Sequence, residues 1–355
     1  MAAPPAPAAE GFGDRVTVAF DALGAEAGID AVAEGLSMAA ADGIGVRAFG
    51  PAAALAGVGS GLVEVIDTAE VIGNDEEPVR AVRSRPEASI VRAAADVAAG
   101  ASDALASPGS TGATMTAALF ALKRIRSVQR PALAVQIPAP GRERPLLMLD
   151  VGANADARPS HLVQFAYLGS AFAATVLGVA RPRVGLLSVG AEAKKGSTTV
   201  VEAHEALLGA DGLEFAGNVE GRDLLDPEVE VVVTDGFTGN VVLKTIEGTA
   251  KAVGDAVRRA ARSGPVAAAG GLLLRPALGG LRSDMDPDAT GGAILLGLRG
   301  VAVVGHGSAG PLGIANQIRL AASSVRERAV ERTEELIESA GAGRSAIRAA
   351  KGSES

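Results

Sequence analysis

The feature of this sequence that most constrains its fold is the alternation of short apolar runs with longer runs of helical periodicity. Between the short runs, apolar residues recur every three or four positions, which is typical of helices that bury one face. Strands that alternate with helices form a mainly parallel sheet with helices on both faces. The alternation therefore predicts an α/β fold, a three-layer α/β/α sandwich. The short runs are VTVAF, VEVID, DALAS, ALAVQIP, LLMLD, VGLLSV, EVEVVVTD and VAVVGHG, and the clearest helical runs are TMTAALFALKRI, HLVQFAYLGSAFAATVL and GNVVLKTIEGTAKAVGDAVRRAARSG.

This alternation continues over most of the 355 residues, and we find no internal repeat. We expect one domain over residues 15–340, closed by a single helix that runs from about Leu312 towards Ser339. Residues 1–14 are rich in alanine and proline, and residues 341–355 follow the last periodic segment. Both ends are predicted to be flexible tails.

Composition excludes several classes of function. The chain has no cysteine and only three histidines, so it has no disulfide frame, no thiolate nucleophile and no zinc site built on sulfur. We predict no metal site. A net charge of -8 and an aromatic content of 3% argue against nucleic acid as a partner. No apolar run approaches the ~20 residues that span a bilayer, and we expect a cytoplasmic protein.

Four glycine-rich corners follow predicted strands. At such corners backbone N–H groups and the positive end of a helix converge, and glycine lets the backbone approach a ligand closely. One such corner alone is at least as typical of a structural turn between strand and helix. Four with similar polar content predict one shared anion pocket. They are ASPGSTGAT (106–114), LDVGANAD (149–156), SVGAEAKKGST (188–198) and VTDGFTGN (233–240).

The glycine motifs do not match a nucleotide site. GHGSAG, from Gly305 to Gly310, has the spacing of a dinucleotide fingerprint, but a charged helical pattern follows it instead of a strand that ends in an acidic residue. We predict that it is a loop. In GAEAKKGST the lysine Lys195 precedes Gly196, whereas a phosphate-binding P-loop requires glycine before lysine. The sequence therefore predicts no cofactor.

Four collinear stretches together resemble the PlsX family, the phosphate acyltransferases of bacterial phospholipid synthesis. They are EVIGNDEEPVRAVRSRPEASIV, LDVGANADARPSHLVQFAYLGS, GNVEGRD and DGFTGNVVLKTIEG, and the resemblance extends over about residues 60–320. It implies a fold similar to isocitrate and isopropylmalate dehydrogenases, and a homodimer. The implied reaction moves a long-chain acyl group from acyl-carrier protein to inorganic phosphate. The acyl phosphate produced would then serve to acylate glycerol 3-phosphate.

The same resemblance implies the site residues. Because phosphate is the nucleophile, such an enzyme needs to position phosphate and to stabilise an oxyanion. Lys195 and Asn240 are the implied catalytic residues; judged from the residues alone, a solvated loop lysine and a helix N-cap are the alternatives. Asp235 is expected either to orient Lys195 or to fix its turn, and His161 to have a supporting role in the core. The substrate-binding residues implied by the resemblance are Asp21, Ser110, Thr111, Gly112, Asn154, Asp156, His161, Asp235, Gly236 and Gly239.

Two departures from the family pattern leave alternatives open. DALGAE, from Asp21 to Glu26, replaces the usual DAMGGD, and Ser110 stands where asparagine is common. A short-chain phosphate acyltransferase that uses acyl-CoA is the first alternative. A degenerate homologue that binds acyl-carrier protein or membrane without turnover is the second.

The segment at about residues 255–286 combines apolar and basic residues. It is too short and too broken by Pro276 to span a membrane, but it suits a surface helix, and a pair of dimer-packing helices is the alternative. The resemblance implies a projecting hairpin that touches the inner face of the membrane as a peripheral anchor. Leu273 and Leu274 are the expected membrane contacts. Arg258, Arg259 and Arg262 either complement a helix C-terminus or bind the acidic carrier protein.

Overall fold

The computed structural model describes residues 12–58, 61–138, 144–225, 228–284 and 287–342, without the side chains of 275–284 and 287. Within these ranges strands and helices alternate, as the sequence predicts. The strands are β1 (Thr17–Asp21), β2 (Gly45–Gly50), β3 (Val63–Asp67), β4 (Ala104–Ser107), β5 (Ala132–Ile137), β6 (Leu146–Leu149), β7 (Arg183–Ser188), β8 (Glu214–Glu220), β9 (Val231–Val233), β10 (Ala293–Leu296) and β11 (Val301–Val304). The helices are α1 (Ile29–Ala41), α2 (Ala52–Leu55), α3 (Pro78–Ser84), α4 (Ser89–Ala98), α5 (Thr111–Leu122), α6 (Pro159–Thr175), α7 (Thr198–Leu208), α8 (Gly236–Ala260), α9 (Pro265–Asp284), α10 (Pro311–Arg326) and α11 (Ala329–Ser339).

These strands form one sheet in the order β3-β2-β1-β4-β11-β10-β5-β6-β9-β7-β8. The pairs β11/β10, β10/β5 and β5/β6 are antiparallel, and the other neighbouring pairs are parallel. As a result, β6, β9, β7 and β8 run opposite to β1, β2, β3 and β4. The rule that carboxyl ends of parallel strands gather at one edge therefore applies separately to each half of the sheet.

Helices cover both faces of this sheet, so its central strands are buried on both sides. Such strands carry uninterrupted apolar runs, as VVV does in β9. One apolar cluster joins the sheet to α1, α6 and α10, and a second joins the opposite face to α4 and α5. The predicted three-layer α/β arrangement with a mainly parallel sheet is confirmed.

Three strands were not predicted from the sequence: β2, β8 and β10. In β2 the apolar run GVRAFG is interrupted by Arg47, whose fully buried side chain pairs with Asp96 at 3.2 Å and Glu64 at 2.9 Å. In β8 Gly217 has a φ of 100°, and the pairing with β7 shifts register nearby. In β2 these tertiary contacts outweigh the local pattern, and in β8 the irregular backbone hides the strand from its sequence.

The prediction of one closing helix from Leu312 to Ser339 is wrong. Two helices, α10 and α11, occupy that stretch, and Arg328 between them has the left-handed φ of 53°. The break changes the direction of the chain so that α11 packs against α6.

The predicted tails fall largely on residues 1–11 and 343–355, outside the described residues. The single domain over 15–340 stays a prediction.

We expect Gly239→Ala to destabilise the protein by roughly 1–3 kcal/mol or more, the usual cost of overpacking. A Cβ at Gly239 would overlap the carbonyl oxygen of Asp150. The matched control is Gly248→Ala in the same helix, where a Cβ has nothing within 4 Å and alanine adds up to about 1 kcal/mol of helix propensity. Urea unfolding of both variants measures the difference. Equal free energies of unfolding of Gly239→Ala and the wild type would show that the backbone around Gly239 shifts to accommodate the added methyl group.

Candidate active site

A cavity of about 480 Å³ lies where the first turns of α5 meet the loop after β6 and the second turn of α8. Its wall combines glycine backbone with polar and apolar side chains and the carboxylate of Glu77. None of the described residues that line it is a lysine, arginine or histidine, so attraction of an anion here depends on N–H groups and amides. The lining residues are Glu77, Pro78, Val79, Thr111, Gly112, Met115, Thr116, Val151, Gly152 and Asn240.

Three of the four predicted corners contribute to this cavity. Thr111 and Gly112 come from the first corner, Gly152 from the second and Asn240 from the fourth. They meet even though β4 runs opposite to β6 and β9. The third corner, which carries Lys195, follows β7, the neighbour of β9, and Lys195 is not among the residues that line the cavity.

The second corner is organised by the carboxylate of Asp150. It accepts N–H groups from Leu133 at 3.0 Å, Gly152 at 3.1 Å, Ala153 at 2.9 Å and Asn154 at 2.8 Å. The side-chain amide of Asn154 also donates to it at 2.8 Å. Burial raises the pKa of Asp150 above its ordinary value, and these hydrogen bonds oppose that rise. Asp150 was not among the predicted site residues, although its position directly after a buried strand was a usable signal.

The second and fourth corners are joined through backbone. The N–H of Gly236 donates to the carbonyl of Asn154 at 2.8 Å, and a Cβ at Gly236 would lie 2.7 Å from that oxygen. Only glycine allows this approach. The Asn154 amide also donates to the carbonyl of Pro131 at 2.8 Å, so its side chain is held within the corner.

The cap of α8 is Asp235, whose carboxylate accepts the Thr238 N–H at 2.8 Å and the Thr238 hydroxyl at 2.7 Å. Asp235 therefore fixes the turn, one of its two expected roles. The helix begins at Gly236, earlier than predicted, and Asn240 lies in its second turn. The alternative reading of Asn240 as an N-cap is wrong, and its exposed amide is available at the cavity wall.

The first corner rests on Asp21, which is 3% exposed. Its carboxylate accepts the hydroxyls of Ser89 at 2.5 Å and Ser107 at 2.8 Å, and Ser107 in turn accepts the Thr114 hydroxyl at 3.1 Å. Burial raises the pKa of Asp21, and these hydrogen bonds oppose the rise. Asp21 thus lies beneath the corner and holds it, while Ser110 caps α5.

Two further predicted residues lie away from the cavity wall. Asp156 is exposed on the loop before α6. His161 is 8% exposed, and its Nδ1 accepts the N–H of Arg158 at 3.2 Å at the start of α6. This placement agrees with the supporting core role expected of His161.

The segment predicted as a projecting hairpin covers the end of α8, the turn after it and α9, and the hairpin itself stays a prediction. A Cβ at Gly271 of α9 would lie 2.8 Å from the Cβ of Ala261, directly after α8. Leu273 and Leu274 are 83% and 58% exposed. The three arginines Arg258, Arg259 and Arg262 are exposed at the end of α8 and in the turn after it, and Arg258 pairs with Asp255. Positions 285 and 286 of the predicted hairpin lie outside the described residues.

Most of the residues that line the cavity were not predicted from the sequence as site residues. Glu77, Pro78 and Val79 belong to one of the stretches that carry the resemblance, but no role was assigned to them. Met115 lies on α5 in a run that predicted only a helix. Apolar wall residues have the same pattern as core residues, so no local signal separates the two.

Comparison with known proteins decides the family. The sequence model of a family described as "Fatty acid synthesis protein" matches residues 16–332. A phosphate acyltransferase of an Anaeromyxobacter species is 41% identical over 348 residues, which is 94% of this chain and 96% of that protein. The chain belongs to the PlsX family of phosphate acyltransferases. A phosphate acyltransferase of a Geobacillus species is 46% identical over 276 residues, 78% of this chain and 83% of that protein. The protein is therefore an acyltransferase of lipid biosynthesis, and phosphate is its acyl acceptor.

Solved structures agree on the fold at low sequence identity. A phosphotransacetylase from Streptococcus pyogenes has a TM-score of 0.57 at 16% identity and covers 90% of this chain and 95% of its own. A 4-hydroxythreonine-4-phosphate dehydrogenase from Klebsiella pneumoniae has a TM-score of 0.51 at 16% identity and covers 87% of this chain and 98% of its own. The expected dehydrogenase-like fold is confirmed.

Within the described ranges, no cluster of three or more histidine or carboxylate side chains of this acyltransferase could hold a metal ion. No helix in the same ranges is long and apolar enough to cross a bilayer.

The raised pKa of Asp21 predicts a pH dependence of stability. Between the ordinary value of 3.8 and the raised pKa, the folded enzyme holds a proton at Asp21 that the unfolded chain releases, so rising pH lowers the free energy of unfolding. Asp21→Asn removes this contribution. We expect the free energy of unfolding of the variant relative to wild type to increase as pH rises from 3.8 towards the raised pKa of Asp21, by at most about 1.4 kcal/mol per pH unit. Urea unfolding at several pH values measures it, and a pH-independent difference would contradict the assignment.

Proposed function

We propose that this phosphate acyltransferase takes long-chain acyl groups from acyl-carrier protein. The observation that carries the proposal is the composition of the cavity. Val79, Met115 and Val151 line it beside Gly112 at the start of α5 and the amide of Asn240. An apolar wall next to polar groups suits an alkyl chain whose thioester carbonyl must reach phosphate.

In the proposed reaction a phosphate oxygen attacks the thioester carbonyl carbon. A carbon–oxygen bond forms, the carbon–sulfur bond breaks, and the carrier thiolate leaves and takes a proton. The protein need not supply a covalent nucleophile. Asn240 donates its amide to the developing oxyanion or to phosphate, and Lys195 supplies the positive charge that the cavity wall lacks. Positioning of the two substrates provides much of the remaining acceleration.

The hairpin of α8 and α9 fits the proposed carrier and membrane contacts. Its exposed arginines, Arg258, Arg259 and Arg262, form a basic surface that would attract an acidic carrier protein. Leu273 and Leu274 would rest on the inner face of the membrane, close to where the acyl phosphate is consumed. We further propose that the protein is a cytoplasmic homodimer with this peripheral attachment.

A short-chain acyl-CoA reaction is the second candidate, because the structural neighbours include phosphotransacetylases. Those neighbours are at most 18% identical, which supports the fold alone. A homologue without turnover is the third candidate.

The deciding experiment incubates the full chain with phosphate and palmitoyl-carrier protein, palmitoyl-CoA or acetyl-CoA, and traps acyl phosphate with hydroxylamine. We expect hydroxamate mainly from the palmitoyl-carrier protein. Preference for acetyl-CoA would favour the short-chain reaction, and no product from any donor would favour the homologue without turnover.

Asn240→Asp separates catalysis from structure. Asp235 already caps α8, so the exchange should leave the free energy of unfolding nearly unchanged. The new carboxylate would repel the anionic nucleophile, and we expect acyl-phosphate formation to fall by ~10² or more. Turnover and urea unfolding are measured on the same preparation. A fully active Asn240→Asp enzyme would remove Asn240 from the chemistry.

Met115→Trp should shift the donor preference towards shorter chains, because the larger side chain fills the apolar part of the cavity. We expect the ratio of kcat/KM for palmitoyl to octanoyl carrier protein to fall about tenfold or more, within the range of specificity that hydrophobic pockets provide. The matched control is Leu208→Trp, at the 68% exposed Leu208 at the end of α7. An unchanged ratio in Met115→Trp would show that the acyl chain of the donor binds outside this part of the cavity.

Leu273→Glu combined with Leu274→Glu should abolish sedimentation with vesicles of anionic phospholipid, because exposed leucines provide the apolar contact. Acyltransferase activity in solution should be retained, since neither residue lines the cavity. Dissociation of a dimer, seen by analytical ultracentrifugation, would instead support the packing role of the hairpin.

A further inference from the structure

The loop after β7, residues 189–197, carries Lys195 but has little packing of its own. Gly190 is buried, whereas residues 191–197 are exposed. Exposed loops with few apolar contacts sample many conformations unless hydrogen bonds restrict them. The conformation of this loop therefore depends on the polar contacts that reach it.

Asn218 of β8 provides two of these polar contacts through one side chain. Its amide nitrogen donates to the carbonyl of Glu192 at 2.9 Å and to that of Gly190 at 3.3 Å. The Glu192 carbonyl also accepts the N–H of Lys195 at 2.9 Å. The hydroxyl of Ser188 donates to the Lys195 carbonyl at 2.9 Å. One side chain from the neighbouring strand thus holds the backbone immediately before the lysine.

His204 of α7 holds Asn218 from the other side. Its Nδ1 lies 2.9 Å from the Asn218 Oδ1, the imidazole is 5% exposed, and its ring packs edge-on against Phe215 at 5.1 Å. Because two carbonyls face the amide nitrogen of Asn218, its oxygen must face the imidazole. His204 must therefore carry its proton on Nδ1 and donate it. These contacts form a chain of hydrogen bonds from the buried histidine to the loop.

We propose that Asn218, oriented by His204, is a positioning residue that holds the loop in the conformation that presents Lys195 to the reaction. The proposal rests on the proposed role of Lys195. Among the described residues, the side chain of Asn218 forms hydrogen bonds with two loop carbonyls and His204, so we place its action on the loop and not on substrate. Misplacement of a catalytic group by about 1 Å costs up to ~10²-fold in rate, which is the order of effect that such a clamp controls.

A double-mutant cycle tests the coupling. We expect Asn218→Leu to lower kcat for acyl-phosphate formation about tenfold or more in the wild-type enzyme, and less than about twofold in Lys195→Ala, where no lysine is left to misplace. The matched control is Asn316→Leu. Asn316 likewise donates its amide to two backbone carbonyls, those of Asp288 at 2.8 Å and Ala289 at 3.3 Å in a short 3-10 helix, and accepts from Arg319 at 2.8 Å. The Asn316→Leu variant should have a lower free energy of unfolding but the same kcat as the wild type.

Hydrogen exchange provides a readout that does not depend on activity. The Lys195 amide should exchange at least about tenfold faster in Asn218→Leu and in His204→Phe, but not in Asn316→Leu. Equal loss of kcat in the presence and absence of Lys195, or unchanged exchange at Lys195, would overturn the inference while leaving the proposed function intact. Absence of acyl phosphate from the wild-type enzyme would overturn the proposed function, and with it the part of Asn218 in that reaction.

Discussion

The arrangement of the active site depends on the carboxylate of Asp150. Four backbone N–H groups and one side-chain amide converge on this buried group. A buried carboxylate without such donors would cost several kcal/mol, so the loop after β6 and the carboxylate require each other. Because the carbonyl of Asp150 also abuts Gly239, the same residue sets how closely α8 approaches the loop. The position of Asn240 follows from that contact.

In the proposed function, the cavity and the loop that carries Lys195 have different roles. Around the cavity, helix starts and glycine backbone provide polar groups that need no charged side chain, and Val79 and Met115 keep one wall apolar. A lysine in that wall would attract phosphate, but it would also attract the carboxylate of Glu77, which already caps α3. In the proposed function the positive charge comes instead from Lys195 on a separate exposed loop, which avoids this competition. The proposed clamp on that loop consists of residues outside the cavity.

Much of the fold could be predicted from sequence, because the apolar runs of buried strands and the periodicity of helices are local signals. The strand β2 could not, since the charge of Arg47 is compensated by Asp96 and Glu64, which lie far from it along the chain. The corners were predictable as glycine-rich turns after strands. Their grouping was not, because the reversal of half of the sheet depends on which strands pair. The roles assigned to Lys195 and Asn240 came from resemblance and stay predictions, whereas the cap formed by Asp235 is a short-range feature that the sequence already favoured.

The order of strands in the sheet also constrains how the enzyme is made. The centre of the sheet is filled by β10 and β11, which come from residues 293–304 but lie between β4 at residues 104–107 and β5 at residues 132–137. During synthesis, the first half of the chain leaves the ribosome with the edges of β4 and β5 unpaired, and it must wait for roughly 160 further residues before the gap closes. Pairings of such long sequence separation form slowly. Exposed apolar strand edges during that interval are a template for aggregation, a hazard that ends when the last strands of the sheet emerge and pair.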